Sequence, residues 1–191
     1  MGRILDKIQK DYYPNTEIVG PKNNCLITNN NTIIKETRYG SAMADLGFHG
    51  HGNKLHKFTF FNEIQWLDLL KDTKFTPILV SYDESLLTIE MTYVGRSITS
   101  TTIPLDWELQ CKHIISTLKS YNCSHNDIKP EDILVYENKL YLVDFGWATR
   151  IDLDIPSFFP KTIGGDFKSK SVKFDDEYSL ISSIKYVLEN E

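Results

Sequence analysis

Residues 125–146 read HNDIKPEDILVYENKLYLVDFG, and this stretch decides the fold. Asp127 supplies a carboxylate, Lys129 a cation two residues later and Asp132 a second carboxylate. An apolar run from Leu140 to Val143 then delivers Asp144, Phe145 and Gly146. Phosphoryl transfer needs a base beside the accepting hydroxyl, a cation to offset charge on the migrating phosphoryl, and oxygen ligands for a metal bridging nucleotide phosphates. Isolated aspartates in loops ordinarily form turns that bound a hairpin. The ordered combination of HNDIKP with DFG moves the reading from turn to chemistry, because the motifs agree with one another.

Composition narrows the alternatives. With 191 residues, 41% hydrophobic and 12% aromatic, the chain has the make-up of an ordinary globular protein rather than a disordered one. A formal net charge of -5 argues against an extended phosphate-binding surface, so nucleic acid is not expected as a partner. Cys25, Cys111 and Cys123 are odd in number and lack C-x-x-C spacing, which suggests neither a disulfide framework nor a zinc knuckle. A reducing, intracellular and cytoplasmic setting is the expectation. No apolar run is long enough for a signal peptide or a membrane span, and no myristoylation signature follows Gly2, so no membrane partner is expected.

HNDIKPED followed by DFG resembles the catalytic loop and metal-binding motif of the eukaryotic-type protein kinases, H-R-D-L-K-P-E-N followed by D-F-G. The resemblance implies an α+β, protein kinase-like two-lobed fold forming a single domain over residues 1–191. Its N-lobe, at about 1–93, would hold a five-stranded antiparallel sheet plus one helix. Its C-lobe, at about 94–191, would be reduced, mostly helical and end at the family's central helix. The resemblance also implies Asp127 as catalytic base, Lys129 as the cation on the transferring phosphoryl, and Asp132 with Asp144 as ligands of magnesium or manganese. Two departures carry consequences. Asn126 stands where the family has the arginine that pairs with a phosphorylated activation loop, so switching by loop phosphorylation is not expected. Asp132 replaces an asparagine, and as a hard oxygen ligand it keeps metal binding while altering the preference.

Upstream, a short helix is expected over Gly2–Lys10. The β-branched runs TEIV, CLIT and TIIKE, separated by GPKNN and NNN, predict a three-stranded antiparallel meander, and Pro77–Tyr82 and Leu86–Met91 predict two further strands. Helical periodicity over Phe58–Lys71 clusters Phe60, Phe61, Ile64 and Leu67 on one face, with Glu63 at the edge of that stripe. By resemblance, Lys35 is the strand lysine that holds the α and β phosphates of ATP and Glu63 is its partner. Met91 then lies at the back of the adenine pocket, and the backbone of Thr92 and Val94 makes the adenine contacts. Taken alone, Lys35 reads as a surface lysine and Met91 as a core residue.

The glycine-rich loop of the family is reduced to Gly20 in Gly20-Pro21-Lys22-Asn23-Asn24, which predicts weakened phosphate cradling, partly offset by asparagines that tolerate left-handed geometry. Residues 37–57 carry His49, His51 and His56 in a polar stretch that reads as a surface loop, with a metal site or a cover for the nucleotide as alternatives.

Trp107, Cys111, Ile114, Ile115 and Leu118 share one face of a helix from about Asp106 to Tyr121 that feeds the catalytic loop. After DFG come Pro156, Pro160, Gly164 and Gly165, and no A-P-E triplet. DDEYSLISSIKYVL resembles the central helix of the large lobe, particularly in the casein kinase 1 and vaccinia-related kinase group, with Asp176 bonding the catalytic-loop backbone. A paired Asp also serves as a plain N-cap. On a helical wheel Leu180, Ile181, Ile184, Val187 and Leu188 fall in one arc, and Ser179, Ser182, Ser183, Lys185 and Glu189 lie opposite. That pattern predicts a monomer whose last helix is half exposed. The combined expectation is an ATP-dependent protein serine/threonine kinase of minimal size acting on a protein substrate. A pseudokinase scaffold and a small-molecule kinase are the rivals.

Overall fold

Short β-branched runs broken by asparagines and aspartates give the first part of the chain its strands. The computed structural model describes residues 4–20, 24–37, 52–161, 163–168 and 175–190. The chain divides into two compact units, Met1–Asp68 with Ile78–Tyr93, and Leu69–Pro77 with Val94–Glu191.

In the first unit, β1 (Glu17–Val19), β2 (Cys25–Ile27), β3 (Thr32–Glu36), β4 (Leu79–Asp83) and β5 (Thr88–Thr92) form an antiparallel sheet in the order β1-β2-β3-β5-β4. The turns follow from their side chains. Asn31 adopts φ 58°, and the Thr28 hydroxyl accepts from the N–H groups of Asn30 and Thr32 at 3.2 and 3.3 Å. Between β4 and β5, Asp83 Oδ1 accepts from Ser85 and Leu86 N–H at 2.8 and 3.0 Å. Register sets Lys35 of β3 opposite Cys25 on one side and Ile89 on the other, in the middle of the sheet. Helix α1 (Ile4–Tyr12) packs Leu5 against Leu26 and Ile34.

Helix α2 (Gly52–Leu70) corrects two expectations. It starts six residues before Phe58, so His56 sits on a helix rather than in a loop; His49 and His51 lie outside the described residues. Its buried stripe is Leu55, Thr59, Phe60, Glu63, Trp66, Leu67 and Leu70, whereas Phe61 is exposed. Glu63 therefore lies in the middle of the buried face, not at its edge. Counting only apolar side chains shifts the expected stripe, because the glutamate is drawn inward by a partner that the wheel does not contain. The helix closes where the hydroxyls of Thr73 and Thr76 donate to Leu70 O at 2.7 and 3.2 Å, satisfying an end carbonyl.

The second unit holds α3 (Trp107–Ser120) and α4 (Asp176–Asn190). It also has a three-stranded sheet of β6 (Arg96–Ser97), β8 (Ile133–Tyr136) and β9 (Lys139–Leu142), and a two-stranded pair of β7 (Cys123–Ser124) and β10 (Thr149–Arg150). The β8–β9 turn has Glu137 and Asn138 both at positive φ, 49° and 61°, the two-residue geometry that matches strand twist. Gly95, at φ 95°, is close to β8: a Cβ there would overlap the Val135 carbonyl.

Helix α4 is rotated from its expected setting. Ser179, Leu180, Ser183, Ile184 and Val187 are buried, while Leu188 is 43% exposed. The reason is Asp176, which accepts the backbone N–H groups of His125 and Asn126 and fixes the helix rotation so that 179 and 183 turn inward. Cys25, Cys111 and Cys123 form no disulfide, and burial pushes the Cys111 thiol up to about 12. Among the described residues no helix is long and apolar enough to cross a membrane.

Candidate active site

Strand β7 delivers the chain to His125, which is fully buried with its ring edge-on to Phe145 at 4.6 Å. His125 Nε2 lies 2.9 Å from Val143 O. A carbonyl can only accept, so Nε2 carries the proton, and Nδ1 is left to accept the Asp127 N–H at 3.3 Å. Burial lowers the His125 pKa, which fits this neutral ring. Asp176 takes the N–H groups of His125 and Asn126 at 2.7 and 2.9 Å, tying α4 to the loop. Burial raises the Asp176 pKa.

Asn126 adopts φ 70°, which asparagine tolerates, and is buried. Its Nδ2 donates to Trp147 O at 2.7 Å and Thr149 Oγ1 at 3.0 Å, and its Oδ1 accepts from the Ser124 hydroxyl at 2.8 Å. A neutral side chain therefore ties the loop directly to the segment after Gly146.

Asp127 has both oxygens occupied. Oδ2 accepts from Lys129 Nζ at 2.9 Å and Oδ1 from the Gly164 N–H at 2.7 Å. Lys129 Nζ is also 3.0 Å from Asp132 Oδ2. Burial alone would lower the Lys129 pKa, but Asp132, Asp127 and Asp144 raise it further than burial lowers it, so it remains a cation. Asp132, on the one-turn helix Pro130–Asp132, is buried, and burial pushes its pKa well up despite Lys129. Its Oδ2 accepts no hydrogen bond; the contact with Lys129 is an ion pair outside hydrogen-bonding alignment. Asp144 stands at φ 68°, ψ 56°, opening the one-turn helix Phe145–Trp147.

A buried carboxylate oxygen lacking a hydrogen-bond donor is costly, and hard oxygen donors at Asp132 and Asp144 suit a divalent cation. Among the described residues no group of three or more His, Cys, Asp or Glu side chains forms a cage. Magnesium fits that sparse donor set, since it is ordinarily held by one or two carboxylates and completed by water and substrate phosphates.

In the first unit, Lys35 Nζ donates to both oxygens of Glu63, at 2.8 and 2.9 Å, and Glu63 is 2% exposed. Met91 is buried on β5. The Thr92 N–H is committed to Ile78 O at 2.9 Å, and the Thr92 hydroxyl accepts the Ile78 N–H at 2.9 Å. Gly20 has φ 94°; residues 21–23 lie outside the described residues. Val94 belongs to the second unit and is buried.

Sequence reasoning passed over Gly164 and the bridging role of Asn126. The glycine pair at 164–165 in a loop was the available signal for the first, and asparagine at an expected arginine position for the second.

No protein-family model matches the chain, and no curated protein matches its sequence. Among solved structures, the Cydia pomonella granulovirus kinase PK-1 is similar, with a TM-score of 0.50 and 18% sequence identity, over 84% of this chain and 60% of that one. The chain thus spans less than two thirds of that protein's length. At this identity the likeness shows the fold: an α+β, protein kinase-like architecture with a five-stranded antiparallel sheet.

Proposed function

We propose that the chain acts as one kinase-like domain and a monomer, transferring the γ-phosphoryl of ATP to a serine or threonine hydroxyl of a protein. The observation that carries this is the cluster in which Asp127, Lys129 and Asp132 lie within 3.0 Å ion-pair contacts and are buried or partly buried. Asp127 takes the hydroxyl proton as the acceptor oxygen bonds to the γ phosphorus, the bond to the bridging oxygen breaks, and ADP leaves. Lys129, held as a cation by its acidic neighbours, donates to the phosphoryl oxygens. Asp132 and Asp144 would hold magnesium or manganese, which supplies neutralisation of charge on the nucleotide phosphates. Lys35, oriented by Glu63, takes the α and β phosphates. Met91 and the backbone of Thr92 and Val94 take the adenine, and Gly20 stays close to the phosphates.

The test is incubation of the purified chain with γ-labelled ATP, either metal and a panel of acceptor proteins, beside Asp127→Asn. Label on serine or threonine in the wild type, absent in the variant, is the expected result. A second reading, a nucleotide-binding scaffold, draws support from the single glycine at Gly20; nucleotide binding without any transfer would establish it instead. Label on small molecules alone would point to a small-molecule kinase.

A further inference from the structure

We infer that Gly164 is a positioning residue for the base. Its backbone N–H, presented from a left-handed turn 37 residues downstream, holds the Asp127 carboxylate in the orientation from which it takes the hydroxyl proton. This rests on the phosphoryl-transfer reading above.

The carboxylate of an aspartate turns in a broad, roughly two-fold well, so something must fix it. Lys129 is a weak candidate, because an ammonium on a flexible four-carbon stem follows a carboxylate as readily as it restrains one. A main-chain donor at 2.7 Å does not have that freedom, provided its own turn is fixed. Here it is. Ile163 is buried and its N–H reaches Pro160 O at 3.2 Å; Phe159 is buried edge-on to Trp147 at 4.9 Å. On the other side the Phe167 N–H reaches Gly164 O at 3.1 Å, closing the turn. The contact orients the base without blocking it, since an ionised carboxylate has about four acceptor positions and Gly164 uses one.

Only glycine suits the position. Its φ is 79°, and a Cβ would meet Lys168 Cβ at 3.1 Å and the Asn126 carbonyl at 3.4 Å. The positive φ strains any other residue, and the tight approach to Lys168 Cβ requires the turn that carries the N–H to shift. Gly165 offers a matched comparison: it too has positive φ, 47°, but a Cβ there meets nothing within 4 Å, and no bond from its N–H to Asp127 is formed.

The experiment uses the full chain with ATP and magnesium, reading ADP release with dephosphorylated casein as acceptor. Gly164→Ala should lower kcat about 10²-fold while leaving KM for ATP and the melting temperature close to those of Gly165→Ala. In an Asp127→Asn background the same change should cause no further loss, because the effect runs through Asp127. A measurement independent of any glycine variant is the Gly164 amide proton resonance in assigned spectra of the ¹⁵N-labelled chain, which should move upfield in Asp127→Asn. An unmoved resonance overturns the inference, as does a Gly164→Ala variant that matches Gly165→Ala or turns over faster than wild type, the latter marking a latch. Those results leave the kinase reading intact. Wild-type protein that releases no ADP overturns that reading, and the inference about catalysis with it.

Discussion

Two lysines of this molecule stand beside carboxylates in opposite balance. In the first unit Lys35 meets Glu63, one cation to one anion, with both carboxylate oxygens engaged at 2.8 and 2.9 Å. In the second unit Lys129 stands between Asp127 and Asp132 at 2.9 and 3.0 Å, and Asp144 adds its charge to the same field. The matched contact is complete as folded, and its value lies in fixing a lysine on a strand. The mismatched cluster sets three carboxyls around one ammonium, and one Asp132 oxygen accepts no hydrogen bond. The metal proposed above would complete such an arrangement.

The contrast breaks most visibly at Asp127. Asp127→Asn keeps the shape, leaves Lys129 its contact with Asp132 and removes the proposed base, so turnover should fall about 10³-fold with nucleotide affinity nearly unchanged, as a binding titration beside steady-state kinetics would show. In the balanced pair the damage should fall on stability instead. Lys35→Met leaves Glu63 buried without its ammonium partner, a change worth about 3–5 kcal/mol. Urea denaturation measures it, and a loss below about 1 kcal/mol would place the pair with exposed surface bridges.

How far these features can be read from sequence depends on whether the partners are local. Asp127, Lys129, Asp132 and Asp144 lie within one short stretch, where the ordered motifs and the resemblance they carry can both be read. Lys35 and Glu63 are 28 residues apart, and their pairing was readable only through a family resemblance. Helices α2 and α4 show the limit of periodicity. An apolar count gives the width of a buried face but not its rotation, which in both cases follows a polar residue with a distant partner: Glu63 with Lys35, and Asp176 with the N–H groups of His125 and Asn126. Gly164 showed only as half of a glycine pair in a loop, since a main-chain donor leaves no side-chain signature.

The buried carboxyl of Asp132 makes a further prediction about metal. Burial raises its pKa, so near the raised value the carboxyl is protonated, and the proton must leave before the oxygen can ligate. Manganese affinity should therefore rise with pH through that range and level off once Asp132 is ionised. Asp132→Asn should flatten the rise and weaken binding about 10-fold, which is about 1.4 kcal/mol. Electron paramagnetic resonance of free manganese reads this without reference to activity. A variant whose pH dependence matches that of wild type would mean Asp132 is not a ligand.

The smallest effect is the sharpest control, because the second unit holds another buried oxygen without a partner. Ser183 on α4 is fully buried, and its hydroxyl makes no hydrogen bond. Leu180, Ile184 and Val187 share its buried face. Asp176 anchors the start of the helix, so the expectation is that this unpaired hydroxyl follows from packing. Removing an unsatisfied polar group from an apolar setting recovers its desolvation cost, and alanine has the better helix propensity. Ser183→Ala should therefore raise stability by about 1 kcal/mol and leave manganese binding and turnover unchanged, whereas Asp132→Asn alters metal binding. Paired urea curves and metal titrations on the two variants test this. Destabilisation by Ser183→Ala would show that its hydroxyl has a partner in solution, and the distinction between an oxygen kept for a ligand and one left by packing would be lost.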